Sequence, residues 1–315
     1  MASLICGSVA YDTIMTFAGR FREHILPDQI HMLNVSFLVP DMRREFGGCA
    51  GNIAYSLKML GGDPVVMATV GADADPYLDY LQKLAIPTTF IRKLPDTFTA
   101  QAMITTDLDN NQITAFHPGA MSFSQMSNVN EALAVATPPR LGIVAPDSRE
   151  GMLHHARQFA EAGVPFIFDL GQAMPLFDGE DLRQFIDLAS YVTVNDYEGQ
   201  VMLQRTGWTS AEVAAKVRAF IVTHGEQGAT IHADGTQYAI PAVTAEQVVD
   251  PTGCGDAFRG GLLYGIENGL DWETTGRLAG LMGSLKIARQ GPQNHWIPRE
   301  EIGERFQAAF GYRYA

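Results

Sequence analysis

Val249-Asp250-Pro251-Thr252-Gly253-Cys254-Gly255-Asp256-Ala257-Phe258-Arg259-Gly260-Gly261-Leu262-Leu263 places two glycines around one cysteine and then enters an apolar, helix-compatible run. A glycine turn feeding a helix start is an anion site, because unpaired N–H groups and the helix dipole point the same way. Asp256 sets the run apart. A carboxylate among phosphate-seeking donors opposes plain phosphate binding. It makes sense if Asp256 takes a proton from a hydroxyl while the amides neutralise the phosphoryl group which that hydroxyl attacks. Other glycine motifs fit worse. No Lys follows the glycines as a P-loop requires, and Phe258 stands where the dinucleotide fingerprint needs its third glycine. Taken alone, a G-x-G-D is as readily a strand-to-helix turn with a capping Asp.

Working outward, the 315 residues suffice for one large α/β domain or two small ones, and 46% hydrophobic with 18% charged residues is ordinary for a packed core. The formal charge of −13 argues against a nucleic-acid groove, so a phosphorylated ligand must be held by local donors. Cys6, Cys49 and Cys254 are scattered, odd in number and without metal-ligand spacing, which favours a reducing, cytoplasmic setting. The start has no basic n-region, and neither a signal peptide nor a membrane helix is expected.

The pattern from residue 141 onward alternates strand and helix. Strands read at Leu141–Ala145, Pro165–Asp169 and Tyr191–Asn195, and helices at Ser148–Ala162, Gly179–Leu188 and Glu212–Phe220. This implies an α/β fold with a doubly wound, mostly parallel sheet. Upstream, residues 3–10 read as a buried strand ending at Asp12, and Pro64–Val70 as another. Thr13–Phe17, Asn34–Val39, Thr88–Arg92, Thr99–Thr105 and Gln112–His117 suit a small β-lid over residues of about 12–46 and 88–118. His117 reads first as a structural histidine.

Three further sites each carry two readings. Gly47-Gly48 opens a helix near Cys49 with Asn52 in its first turns, suiting either tight helix-on-sheet packing or ligand contact. Asn195-x-x-Glu198 at a strand-to-helix junction is either a capping box or a pair ordering magnesium-bound water. Thr223-His224-Gly225-Glu226-Gln227-Gly228 is either a plain turn before a hairpin or a nucleotide contact.

These motifs occur together in one order, and the chain thereby resembles the ribokinase-like (PfkB) carbohydrate and nucleoside kinases. The resemblance rests on Gly7-x-x-x-x-Asp12, Gly47-Gly48-x-x-x-Asn52, Asn195-x-x-Glu198, Thr223-x-Gly225-x-x-Gly228 and Asp250-Pro-Thr-Gly-Cys-Gly-Asp256. It covers essentially the whole chain as a single domain, 1–315. It implies Asp256 as catalytic base, with Gly253, Cys254 and Gly255 forming an anion hole. It implies Asp12, Gly47, Gly48 and Asn52 on the acceptor's hydroxyls. ATP would meet Thr223, Gly225 and Gly228, and Mg2+ would be held through water by Asn195 and Glu198. Many members carry a monovalent-cation (K+) loop at the positions of Asp250 and Thr252. Pro251, Cys254 and His224 depart from the commoner residues. The Asp250–Asp256 variant and the Gly291–His295 tail resemble the bacterial adenosine or nucleoside kinase branch, and Phe37, Phe46, Phe116 and Met121 near the lid suit either walls for a base or a lid core, so adenosine is the acceptor favoured here. A ribokinase- or fructokinase-type sugar kinase is the alternative, and a non-catalytic nucleotide- or sugar-binding regulator the second. No nucleic-acid or membrane partner is expected; a monomer and a homodimer both fit.

Overall fold

The computed structural model describes residues 2–25, 35–109 and 111–314. Its strands are β1 (Ala2–Cys6), β2 (Ala10–Thr16), β3 (Asp41–Gly47), β4 (Asp63–Val70), β5 (Phe90–Lys93), β6 (Ala100–Thr106), β7 (Gln112–His117), β8 (Leu141–Val144), β9 (Phe166–Asp169), β10 (Tyr191–Asn195), β11 (Ala219–Thr223), β12 (Ala229–Ala233) and β13 (Thr236–Ile240). The α-helices are α1 (Cys49–Met59), α2 (Asp75–Lys83), α3 (Val129–Leu133), α4 (Arg149–Glu161), α5 (Gly179–Leu188), α6 (Asp196–Thr206), α7 (Ser210–Lys216), α8 (Cys254–Glu267), α9 (Trp272–Ile287) and α10 (Arg299–Phe310).

Nine strands form one sheet in the order β13-β12-β11-β10-β9-β8-β1-β4-β5. It is parallel from β11 to β5, and β12 and β13 close one edge as an antiparallel hairpin. β8 and β9 are buried along their whole length, as a sheet covered on both faces requires. One apolar cluster includes α1, α8 and α9, and a second includes α4 and α5, so the sheet is sandwiched. α8 and α9 approach closely: a Cβ on Gly261 would lie 2.5 Å from Ala279 Cα. Among the described residues no helix is long and apolar enough to cross a membrane.

A separate four-stranded sheet, β3-β2-β6-β7, stands apart from the large one. β2 pairs parallel with β6 and antiparallel with β3, while β7 pairs antiparallel with β6. Tyr11, Phe46, Tyr77 and Tyr80 form an aromatic cluster that ties this sheet to α2, and Arg44 stacks on the Tyr11 ring at 3.5 Å. Asp73 holds the crossing between the sheets, accepting from Thr99 N at 2.8 Å and from Arg44 at 3.1 Å.

Several sequence expectations need correction. The strand expected at Asn34–Val39 is not formed: Asn34 lies outside the described residues, and 35–39 has no regular structure. Phe37 instead packs on Phe17 and Phe21, so this apolar run serves a local cluster. The strand is Asp41–Gly47, whose charged residues mask it. Thr88–Arg92 was expected in the small sheet; its counterpart β5 extends the large sheet beside β4. The helix expected over Glu212–Phe220 ends at Lys216, and Phe220 is fully buried in β11. The first strand ends at Cys6, and Ala10 already belongs to the small sheet.

Candidate active site

α8 starts at Cys254, with Gly253 in the left-handed region at φ 81° as its N-cap. Only glycine adopts that conformation at little cost, and a Cβ there would press Pro292 at 2.8 Å. The turn uses the Cys254 N–H internally, on Pro251 O at 3.1 Å. Among the described residues the N–H groups of Gly253, Gly255 and Asp256 have no intramolecular acceptor. These open donors stand at a helix N-terminus, where an anion is favoured.

Asp256 lies in the first turn of α8 and accepts from Asn52 Nδ2 at 2.8 Å. Asn52 is held in turn: Gln293 Nε2 donates to Asn52 Oδ1 at 2.9 Å and to the Tyr77 hydroxyl at 2.6 Å, and that hydroxyl donates to Gly47 O at 2.7 Å. The chain of bonds links α8, α1, α2 and the tail before α10. Among the described residues Gln293 Oε1 is buried without a hydrogen-bond partner, while its amide nitrogen is committed to Asn52 and Tyr77.

Burial pushes the Asp256 pKa up to about 6; Asn52 opposes this, Asp169 adds to it, and Arg259 opposes it. Arg259 and Asp169 form a buried ion pair, with Nε–Oδ2 at 3.1 Å and an η-nitrogen to Oδ1 at 2.9 Å. Their side chains are only 6% and 3% exposed, so the pair is desolvated and both charges depend on it. Neither residue was singled out from the sequence. The available signal was an arginine within an otherwise small and apolar helical run.

Asp12 lies in β2, and a Cβ on Gly47 would stand 2.6 Å from its Oδ2. Gly48, at φ 83°, has no room for a side chain beside Ser8 O and Ala10 N. Burial raises the Asp12 pKa to about 6, with the Asp250 and Glu45 carboxylates adding to the rise. Register places Glu45, Asp12, Ala102 and Phe116 in one row across the small sheet. Side chains in a row share a face, so Phe116 stands on the same side as Asp12, about 10 Å away across two strand spacings. Glu45 accepts from Asn294 at 3.0 Å, which turns this face toward the 291–294 segment. Phe46 is on the opposite face and Phe37 in its own cluster, so of those aromatics only Phe116 joins Asp12. His117 also falls on the opposite face by alternation.

Asn195 and Glu198 form a capping box: Asn195 Oδ1 accepts from Glu198 N and Glu198 Oε2 accepts from Asn195 N, both at 2.8 Å. The box leaves Glu198 Oε1 without a bond from the protein among the described residues. Burial raises the Glu198 pKa, and Asp169 adds to that. Among the described residues no three His, Cys, Asp or Glu side chains cluster as a metal cage. A single carboxylate oxygen fits a cation that retains most of its waters, as magnesium does. Asn195 pairs with Thr223 in register, so the N-x-x-E and T-x-G-x-x-G segments end side by side. His224 bonds Asp196 and, at 2.8 Å, Thr230, bracing the turn.

The structure therefore brings Asp256, Asn52, Gly47, Asp12 and the 253–255 turn together, with Asn195 and Thr223 at the ends of neighbouring strands and Glu198 in the first turn of α6. A separate cavity of about 520 Å³, lined by Pro241, Ser284, Ala288 and Phe310 among others, contains none of these residues.

Fold and cleft together define a kinase of ribokinase-like architecture, with a large parallel sheet, a small second sheet and an acid at a glycine-capped helix start. The chain belongs to the pfkB family of carbohydrate kinases, whose model matches residues 8–299. It is 60% identical to a structure of the nucleoside kinase of Burkholderia thailandensis in complex with inosine, which superposes with a TM-score of 0.88 over 99% of both chains. The complex of that protein with ADP-inosine gives a TM-score of 0.87 at 62% identity, covering 99% of this chain and 97% of that one. Among curated proteins, the nucleoside kinase of Methanocaldococcus jannaschii is 29% identical over 280 residues, 87% of this chain and 89% of that protein.

Proposed function

We propose that this protein is an ATP-dependent nucleoside kinase that phosphorylates the 5′-hydroxyl of a purine ribonucleoside, adenosine or inosine, with Asp256 as general base. The observation that carries the acceptor is the row that sets Asp12 and Phe116 on one face about 10 Å apart. A sugar alone would satisfy Asp12 and Asn52. A ribonucleoside also supplies a flat base for Phe116. The likeness to nucleoside kinases over nearly the full chain supports the same reading.

In this reading the ribose hydroxyls lie against Asp12 and Asn52, Gln293 holds Asn52 in place, and the small sheet acts as the lid. The 5′-hydroxyl meets Asp256, whose pKa of about 6 leaves it ionised at neutral pH yet basic enough to accept a proton. Asn52 aims the carboxylate. The amides of Gly253, Gly255 and Asp256 neutralise charge on the transferred phosphoryl group. Glu198 and Asn195 would hold magnesium through water beside the phosphates, where it supplies further charge neutralisation. Thr223, Gly225 and Gly228 border the nucleotide. Closure of the lid excludes water, the competing acceptor.

A coupled ADP-release assay across adenosine, inosine, other nucleosides, ribose and fructose tests this. Turnover with purine nucleosides supports it. Turnover with free sugars alone assigns a sugar kinase, and ADP release with none of them assigns a binding protein.

A further inference from the structure

Lys286 is fully buried, yet it carries an ammonium in the last turn of α9. A buried lysine persists only where partners replace its water. Its Nζ donates to Asp250 O at 2.8 Å and to Arg289 O at 3.0 Å. Those carbonyls belong to two different segments: the run that leads into the 253–255 turn, and the turn that follows α9. The Asp250 carboxylate joins the same segments, accepting from Thr252 N and from Gly291 N, each at 2.9 Å. Val249 N and Asp250 N both reach Ile287 O, at 2.8 and 3.2 Å. Burial lowers the Lys286 pKa, and the neighbouring Cys254 and Asp250 oppose that. The helix C-terminus also favours a cation there.

We infer that Lys286 is a tethered internal cation that does the work of a bound monovalent ion in this loop, so that the protein needs no external K+. A monovalent ion is held by a ring of oxygens, main-chain carbonyls among them. Here the Asp250 carbonyl already faces an ammonium, and the positive charge that would join the two segments is covalently part of α9. Lys286 is a positioning residue: it fixes the backbone of Asp250 and thereby the glycine turn whose amides face the phosphoryl group. Tethering removes the entropy cost of capturing an ion and makes the loop's order independent of salt composition.

The inference rests on the kinase reading for its activity arm, so a second arm reads stability alone. Wild-type enzyme, freed of K+ and NH4+ and kept in choline buffer, is titrated with KCl at constant ionic strength. Expected are a kcat that changes by less than about twofold and a Tm indifferent to which cation is present. Lys286→Ala should lose about tenfold or more in kcat with a smaller change in nucleoside KM, and K+ or NH4+ should restore part of that loss and raise its Tm relative to choline. Saturable, severalfold activation of the wild type by K+ overturns the inference, as does a Lys286→Ala enzyme fully active in choline. If Lys286→Ala does not fold, the wild-type titration decides alone. If the wild type phosphorylates no nucleoside under any salt, the functional reading fails, and the cation dependence of the wild-type Tm still decides this one.

Discussion

Asn52 Nδ2 stands 2.8 Å from Asp256 Oδ2, joining the first turns of two helices that begin 205 positions apart, at Cys49 and Cys254. The contact sets both the aim and the proton affinity of the carboxylate. Burial raises the Asp256 pKa to about 6, and the Asn52 N–H is foremost among the groups that hold it down. Activity should therefore fall as pH drops through about 6, because the base must be ionised. Removing the donor with Asn52→Ala should move the acid limb of kcat/KM to higher pH and lower the plateau about tenfold or more. Asp12 also has a pKa near 6, so Asp12→Asn is the control: its rate falls, yet an acid limb remains. A limb unmoved in Asn52→Ala would show that Asp256 does not set it.

The same pKa makes a stability prediction. The folded value lies above the carboxylate's ordinary 3.8, so the native state binds the proton more tightly than the unfolded chain. Stability from this group is present below about 3.8 and is lost as pH rises to about 6. At neutral pH the ionised, buried carboxylate is a net cost. Asp256→Asn should raise Tm at pH 7 while abolishing most activity, the trade expected of a site built for chemistry. Thermal unfolding at pH 7 checks it; a lower Tm would contradict the burial argument.

Much of this site was legible in the sequence, and the reasons differ by element. The 250–256 run announces itself because tight turns demand glycine, and the capping reading of its acid gives way only when the whole run is taken together with the other motifs. The N-x-x-E segment was readable in two ways, and the capping box is present together with a spare carboxylate oxygen. β3 was hidden: Asp41-Met-Arg-Arg-Glu-Phe-Gly carries its charges on both faces, since Arg44 stacks on Tyr11 and Glu45 faces the cleft. The nearby apolar run around Phe37 has the more strand-like pattern but packs locally on Phe17 and Phe21. β5 pairs with β4 in the large sheet, which no local pattern reveals because pairing partners are a tertiary property. Asp169, Arg259, Lys286 and Gln293 could not be placed from local pattern, since each takes its meaning from groups brought close only by folding.

The buried Asp169–Arg259 pair should be costly to break from one side. Arg259→Met leaves Asp169 desolvated and unpaired, a loss of about 3–5 kcal/mol in unfolding free energy. Adding Asp169→Asn should recover part of that, because the stranded charge is gone. Chemical denaturation of the three variants and the wild type measures it, and additive losses in the double variant would contradict the pairing.

Phe116→Ala tests the base platform. The side chain is 53% exposed and shares the Asp12 face, so its loss should spare the fold. KM for adenosine or inosine should rise about tenfold with a smaller change in kcat. An unchanged nucleoside KM would remove Phe116 from the acceptor site.

The most direct measurement follows the phosphoryl group itself. Wild-type protein and Asp256→Asn are each given ATP, magnesium and a purine nucleoside, and the products are identified by phosphorus NMR while nucleotide binding is followed separately. The wild type should yield the nucleoside 5′-monophosphate, and Asp256→Asn should bind ATP normally while turning over roughly 10²–10⁴-fold more slowly. An Asp256→Asn enzyme with near-normal turnover, or a wild type that transfers phosphate to some other position, would contradict the account.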